Sequence, residues 1–246
     1  MRKFKIISII LIILILIVGA IYIFAMRSTN VRNSKTFKLF EQFNFYPEEK
    51  QVTIKMDYSS DEIDFHWTMA TDFKNSKEVL VQDIDFKDRN GKAKMIYVTD
   101  DRGQRTTVVN TDEKTYRDFG VIDDTTFENV ERCYSTWFLN PVGDSKYYTR
   151  GYTIIDGQLL YYENFNKGEC IFYYKKDELK YIKLKAFEDG YNGKIKDGLV
   201  KVTVSYDDSY KKDIEIPDDY KPIITKTTID EDGNEQIEYE IKEISS

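Results

Sequence analysis

The chain is 246 residues with a formal charge of -7; 41% of it is hydrophobic, 32% charged and 15% aromatic. Its single histidine, His66, excludes a multi-histidine metal site and any histidine relay that does not use that residue. Residues 1–26 hold three of the 36 basic side chains and no acidic one, so the remainder carries 33 against 43, or -10, and repels phosphate-rich nucleic acid; no nucleic-acid partner is expected.

Residues 6–25, IISIILIILILIVGAIYIFA, are an almost unbroken apolar run. As a helix rising about 1.5 Å per residue it would match the roughly 30 Å hydrocarbon core of a bilayer. The run is therefore expected to be a signal-anchor: a single transmembrane helix with the tip Arg2, Lys3 and Lys5 in the cytoplasm and the rest of the chain extracytoplasmic. A cleaved signal peptide, with Val18-Gly19-Ala20 as its small-residue site, is the alternative.

Beyond the run, Phe37, Phe40 and Phe43 recur at helical spacing, which predicts a short amphipathic helix capped by Asn33 or Ser34 and ending before Pro47. From residue 51 the period becomes two. Val52, Ile54 and Met56, then Ile63, Phe65, Trp67 and Met69, alternate with polar neighbours, as in strands with one apolar face. Further strands are predicted at 78–86, 92–98, 104–110 and 114–119, with a turn at Asn90-Gly91. Thr125 followed by Glu128 has the pattern of a capping box, so a helix is expected over 124–139 with Phe127, Val130, Tyr134, Trp137 and Phe138 on one face. Strands resume at 147–155, turn at Asp156-Gly157, and continue at 158–165, 170–175, 178–186, 199–206 and 211–216. Segments 223–229 and 235–241 around Asp232-Gly233 read as a terminal hairpin. Its acidic turn is an incomplete series for a calcium loop.

Few residues carry a chemical signature. Cys133 and Cys170 either form a disulfide or are two unrelated buried thiols, and they are too far apart for a redox CxxC pair. His66 lies on the polar face of its strand. The carboxylates are scattered, with no pair marked as acid and base, and no nucleotide, zinc-protease or serine-hydrolase motif is found. No enzyme activity, cofactor or metal is expected. The density of tyrosine and phenylalanine between 147 and 174 points to a sheet whose two faces both meet protein, ligand or another surface.

The series GYTIIDGQLLYYENF, CIFYYKKDELKYIKLKA, GLVKVTVSY and KKDIEIPDDY, preceded by a leading helix, a long meander and a helical break, resembles the lipoprotein-carrier-like superfamily of bacterial envelopes, its LolA/LppX-like and RseB-like members. That resemblance covers residues 33–220 and implies a curved antiparallel sheet with helices plugging its concave side, where lipids or lipidated proteins bind. The expected fold is mainly β: an N-terminal transmembrane helix followed by a half-barrel sheet with one or two helices. The expected organisation is 1–26 as cytoplasmic tip and anchor, 27–221 as the β-rich domain and 222–246 as a hairpin extension. The expected function is a non-enzymatic, membrane-tethered binding or sensor domain for a lipid, lipoprotein or other hydrophobic ligand, contacted by Phe65, Trp67, Trp137, Tyr152 and Tyr162. A structural or assembly protein of the envelope and a carboxylate-based hydrolase are the alternatives.

Overall fold

The computed structural model describes residues 11–20, 27–28, 31–45, 51–87, 91–135, 138, 140–146, 148–168, 170–184, 198–229 and 235–242. Fourteen strands lie side by side: β1 (Arg27–Ser28), β2 (Gln51–Ser59), β3 (Ile63–Asp72), β4 (Lys77–Phe86), β5 (Gly91–Asp100), β6 (Gly103–Asn110), β7 (Thr115–Asp123), β8 (Tyr148–Ile155), β9 (Gln158–Phe165), β10 (Cys170–Lys175), β11 (Glu178–Leu184), β12 (Leu199–Ser205), β13 (Lys221–Ile229) and β14 (Glu235–Ile241). Among the described residues, short helices α1 (Lys35–Phe45), α2 (Asn140–Gly143) and α3 (Lys211–Ile214) accompany them.

The spatial order is β1-β8-β9-β10-β11-β12-β2-β3-β4-β5-β6-β7-β13-β14. Two antiparallel meanders, β8–β12 and β2–β7, are joined where β12 pairs with β2. β13 meets β7 in parallel at Lys221 with Thr115 and Pro222 with Tyr116, then turns back with β14 as the expected terminal hairpin. The sheet is thus open and mixed, and the expected curved antiparallel half-barrel is corrected. Covering segments on both faces take up the apolar side chains that a barrel would bury within itself.

On one face α1 packs against β9 and β10, its first amides bound to Glu163 and its Phe40 ring 5.8 Å from Phe172. Ser34 caps it, accepting the Phe37 amide at 3.0 Å, as predicted. Its Phe40 and Phe43 are fully buried, which stabilises the helix on the sheet by about 2–3 kcal/mol each. The alternation in β2 and β3 delivers Ile54, Met56, Ile63, Phe65, Trp67 and Met69 to the same core. On the other face Tyr210 is buried with Ala70, Val79, Val81, Ile96 and Val109, and its hydroxyl donates to Asp72 at 2.8 Å. That contact explains a second correction: of 211–216, expected as a strand, residues 211–214 wind into α3, with the Asp213 amide returning to the Tyr210 carbonyl at 2.9 Å.

The helix expected over 124–139 forms only in its later part. Thr125, read as its cap, gives both amide and hydroxyl to Asp123 at 2.7 and 2.5 Å. Arg132 stacks 4.0 Å from the Phe127 ring and donates to the Phe127 carbonyl, folding 127–132 as a loop; helical residues begin at Cys133. The Asp156-Gly157 turn is as predicted, both residues having positive φ of 50° and 71°. The turns expected at Asn90-Gly91 and Asp232-Gly233 fall on Asn90, Asp232 and Gly233, which lie outside the described residues.

The membrane anchor expected over residues 6–25 is overturned. Among the described residues no helix is long and apolar enough to cross a membrane. Residues 11–20 of that run are helical; residues 6–10 and 21–25 lie outside the described residues. With the span go the single-pass topology, the extracytoplasmic placement, the membrane as a partner and the membrane-tethered sensor role that were inferred from it.

Candidate functional site

The N-terminus of α1 is held by a carboxylate from β9. Glu163 is 1% exposed. Its Oε1 accepts the Lys35 amide at 2.8 Å and the hydroxyls of Tyr148 and Tyr161 at 2.7 and 2.9 Å. Its Oε2 accepts the Thr36 amide at 2.7 Å and the Thr36 hydroxyl at 2.6 Å. The single Thr36 hydroxyl proton is spent on Glu163, so the contact to Tyr174 at 2.8 Å has the tyrosine as donor. Two helix-terminal amides, two phenols and the Thr36 hydroxyl thus converge on one buried carboxyl group at the positive end of the helix. Burial pushes the Tyr161 phenol up to about 12, and raises those of Tyr148 and Tyr174 further, so all three stay protonated as donors. With five donors on its two oxygens, Glu163 clamps the N-terminus of α1 to β9.

Beside this clamp, between α1 and the ends of β8–β10, lies a cleft of about 690 Å³. Asn33, Lys35, Lys38, Leu39 and Gln42 form its helical wall, and Arg150, Tyr152, Leu159, Tyr161 and Tyr174 its sheet floor; Lys176 and Asp177 of the β10–β11 turn close one end. Four cations, Lys35, Lys38, Arg150 and Lys176, stand against two carboxylates, Glu163 and Asp177. Glu163 is consumed as described, and Asp177 pairs with Lys35 at 2.9 Å. Leu159 and Tyr152 are 66% and 56% exposed, an apolar shelf open to a ligand.

The hydrophobic-ligand contacts expected from the sequence do not converge. Phe65 and Trp67 are buried in the core at 0% and 3% exposure, Phe65 stacking on Tyr58 at 5.3 Å. Tyr162 is on the opposite sheet face, beside Tyr173. Trp137 lies outside the described residues. Tyr152 alone reaches the cleft. Beneath α1 the face expected to be concave and ligand-filled is packed by aromatic rings: Phe40 meets Phe138, Phe43 and Phe172 at 5.0, 5.6 and 5.8 Å. Cys133 and Cys170 are free thiols, not a disulfide, and burial raises both above the ordinary thiol range. His66 is exposed, its Nδ1 2.6 Å from Asp57. Among the described residues no group of three or more His, Cys, Asp or Glu side chains has the arrangement of a metal site.

Lys38, Arg150, Glu163 and Lys176 were missed from the sequence. For two of them a signal exists. Register places Arg150 opposite Glu163, Tyr148 opposite Phe165 and Tyr152 opposite Tyr161, so Arg150 and Glu163 are charges inserted in otherwise aromatic rows. A charge on the apolar face of a strand is costly unless partnered, and such an insertion marks a specific partner. Lys38 and Lys176 carry no such mark.

Compared with known proteins, the chain matches no family model and no curated sequence, so the likeness to the lipoprotein carriers rests on the sequence cues alone.

Proposed function

We propose that this chain is a non-catalytic recognition domain that takes a small anionic ligand with an aromatic or apolar portion in the cleft between α1 and β8–β10. The observation that carries this reading is a cleft with twice as many cations as carboxylates, floored by tyrosine rings, in a protein of net charge -7. The surrounding negative field disfavours adventitious anions, whereas low-dielectric walls strengthen local attraction to one that enters. Tyr152, Leu159 and Leu39 supply the surface for the apolar portion, and Lys38, Arg150 and Lys176 the charge.

Fluorescence titration of the full chain with 1-anilinonaphthalene-8-sulfonate, beside its uncharged analogue N-phenyl-1-naphthylamine, tests it. The sulfonate should bind and the neutral compound bind at least severalfold more weakly. Lys38→Gln and Arg150→Gln should each weaken the sulfonate about three- to tenfold, the range of a lost charge-assisted contact, with little change for the neutral compound. Equal binding of the two compounds, or variants that leave sulfonate binding unchanged, would sink the reading.

A further inference from the structure

The cations of the cleft differ in what they already hold. Lys35 Nζ pairs with Asp177 Oδ1 at 2.9 Å, donates to the Lys176 carbonyl, and sits 4.7 Å above the Tyr174 ring. Its backbone is fixed as well, because the Lys35 amide is one of the two helix-terminal groups bound to Glu163. The Lys35 side chain is 28% exposed and that of Asp177 99%. Thus a partly buried, well-anchored ammonium is met by a carboxylate standing almost wholly in water. Lys35 holds the Asp177 carboxyl below the usual range.

Such an exposed pair is weak, and its anion is readily exchanged for another. An incoming anion that also lays an apolar portion on Leu39 and Tyr152 displaces water from around Lys35 and meets it in a lower dielectric than Asp177 does. Resting on the reading of the cleft as an anion site, we propose that Lys35 is the seat of the ligand's anionic group and that Asp177 occupies this seat in the empty protein as an intramolecular stand-in. Asp177 and Leu39 also line a second cleft of about 270 Å³ that runs on to Leu179, Val202 and Tyr206. Displacing Asp177 therefore moves the side chain that borders both spaces. Ligand affinity is set in part by a residue that the ligand must evict.

The test is the sulfonate titration on the full chain with wild type, Asp177→Asn, Lys35→Gln and the double variant, each checked for an unchanged melting temperature. Asp177→Asn should tighten binding between about two- and fivefold, the range of an exposed ion pair, and Lys35→Gln should weaken it. In the Lys35→Gln background, Asp177→Asn should have no further effect, because the competition is for Lys35 itself. An unchanged affinity in Asp177→Asn overturns the proposal. So does an equal gain in both backgrounds, which would make Asp177 a general repulsive charge. Either result, obtained while the sulfonate still outbinds the neutral compound and responds to Lys38→Gln, overturns the stand-in and leaves the anion cleft in place. Equal binding of the two compounds overturns both.

Discussion

Glu78 makes the stability of this protein depend on pH in the direction opposite to most carboxylates. It is 3% exposed on β4, accepts the Thr71 hydroxyl at 2.5 Å and the Cys133 amide at 2.9 Å, and lies 3.9 Å from the Arg132 guanidinium. Thr99 of β5 is its cross-strand neighbour, and Tyr134 follows Cys133 in the segment packed over it. Burial outweighs these partners and pushes its carboxyl from 4.5 up to about 7. The folded state therefore binds this proton more tightly than the unfolded chain does between pH 4.5 and 7. The contribution is most favourable below about 4.5, declines as pH rises and levels off above about 7, a swing of about 3 kcal/mol at 1.36 kcal/mol per pH unit. Glu78→Gln keeps the shape and an acceptor for Cys133 but cannot ionise. Urea unfolding of wild type and variant from pH 4.5 to 8.5 isolates this group, since the other titrating residues are common to both. The stability of the variant relative to wild type should rise by about 3 kcal/mol from the acid to the alkaline end. A difference that stays flat, or that slopes the other way, would refute the claim that burial dominates over Arg132 and the two hydrogen bonds.

Two other substitutions or reagents probe the frame around the cleft. Glu163→Gln is isosteric but sets an amide donor against donors that now point at Oε1 and Oε2, so urea unfolding should show a loss of about 3 kcal/mol and hydrogen exchange should rise first across α1; a loss under about 1 kcal/mol would mean that the helix is held by Phe40 and Phe43 alone. Cys133 and Cys170 should react slowly with Ellman's reagent in the native protein and release two equivalents on unfolding without reductant; a protein that releases none would carry the disulfide that the structure lacks.

Periodicity made most of the sheet legible. Side chains alternate along a strand whatever it pairs with, so Val52-Ile54-Met56 and Ile63-Phe65-Trp67-Met69 announce their strands and their buried face before any partner is known. The Ser34 cap and the three-residue spacing of phenylalanines are equally local. Local patterns failed where two solutions competed for one group. Thr125 had a capping-box sequence, but Asp123, two residues before it, takes its amide and hydroxyl. Ile214 and Ile216 had strand spacing, but Tyr210, tied to Asp72 across the sheet, winds its neighbours into a turn of helix.

By itself the sequence determined a mainly β chain with a short capped helix, the positions of most strands, and a net negative charge, because these follow from spacing and composition. Only the tertiary structure decided that the two meanders join through β12 and β2 in an open sheet. It also decided that Phe65 and Trp67, two of the aromatic residues thought to contact a ligand, are core, that Tyr152 reaches a cleft, and that Lys35, Lys38, Arg150 and Lys176 gather around that cleft. Those four come from a helix, a strand and a turn more than a hundred residues apart at the extremes, and the pairing that brings them together, Glu163 to the α1 amides, is a long-range contact with no local signature. The apolar run at residues 6–25 marks the same boundary: its composition suggested a span, whereas among the described residues no helix is long and apolar enough to cross a membrane.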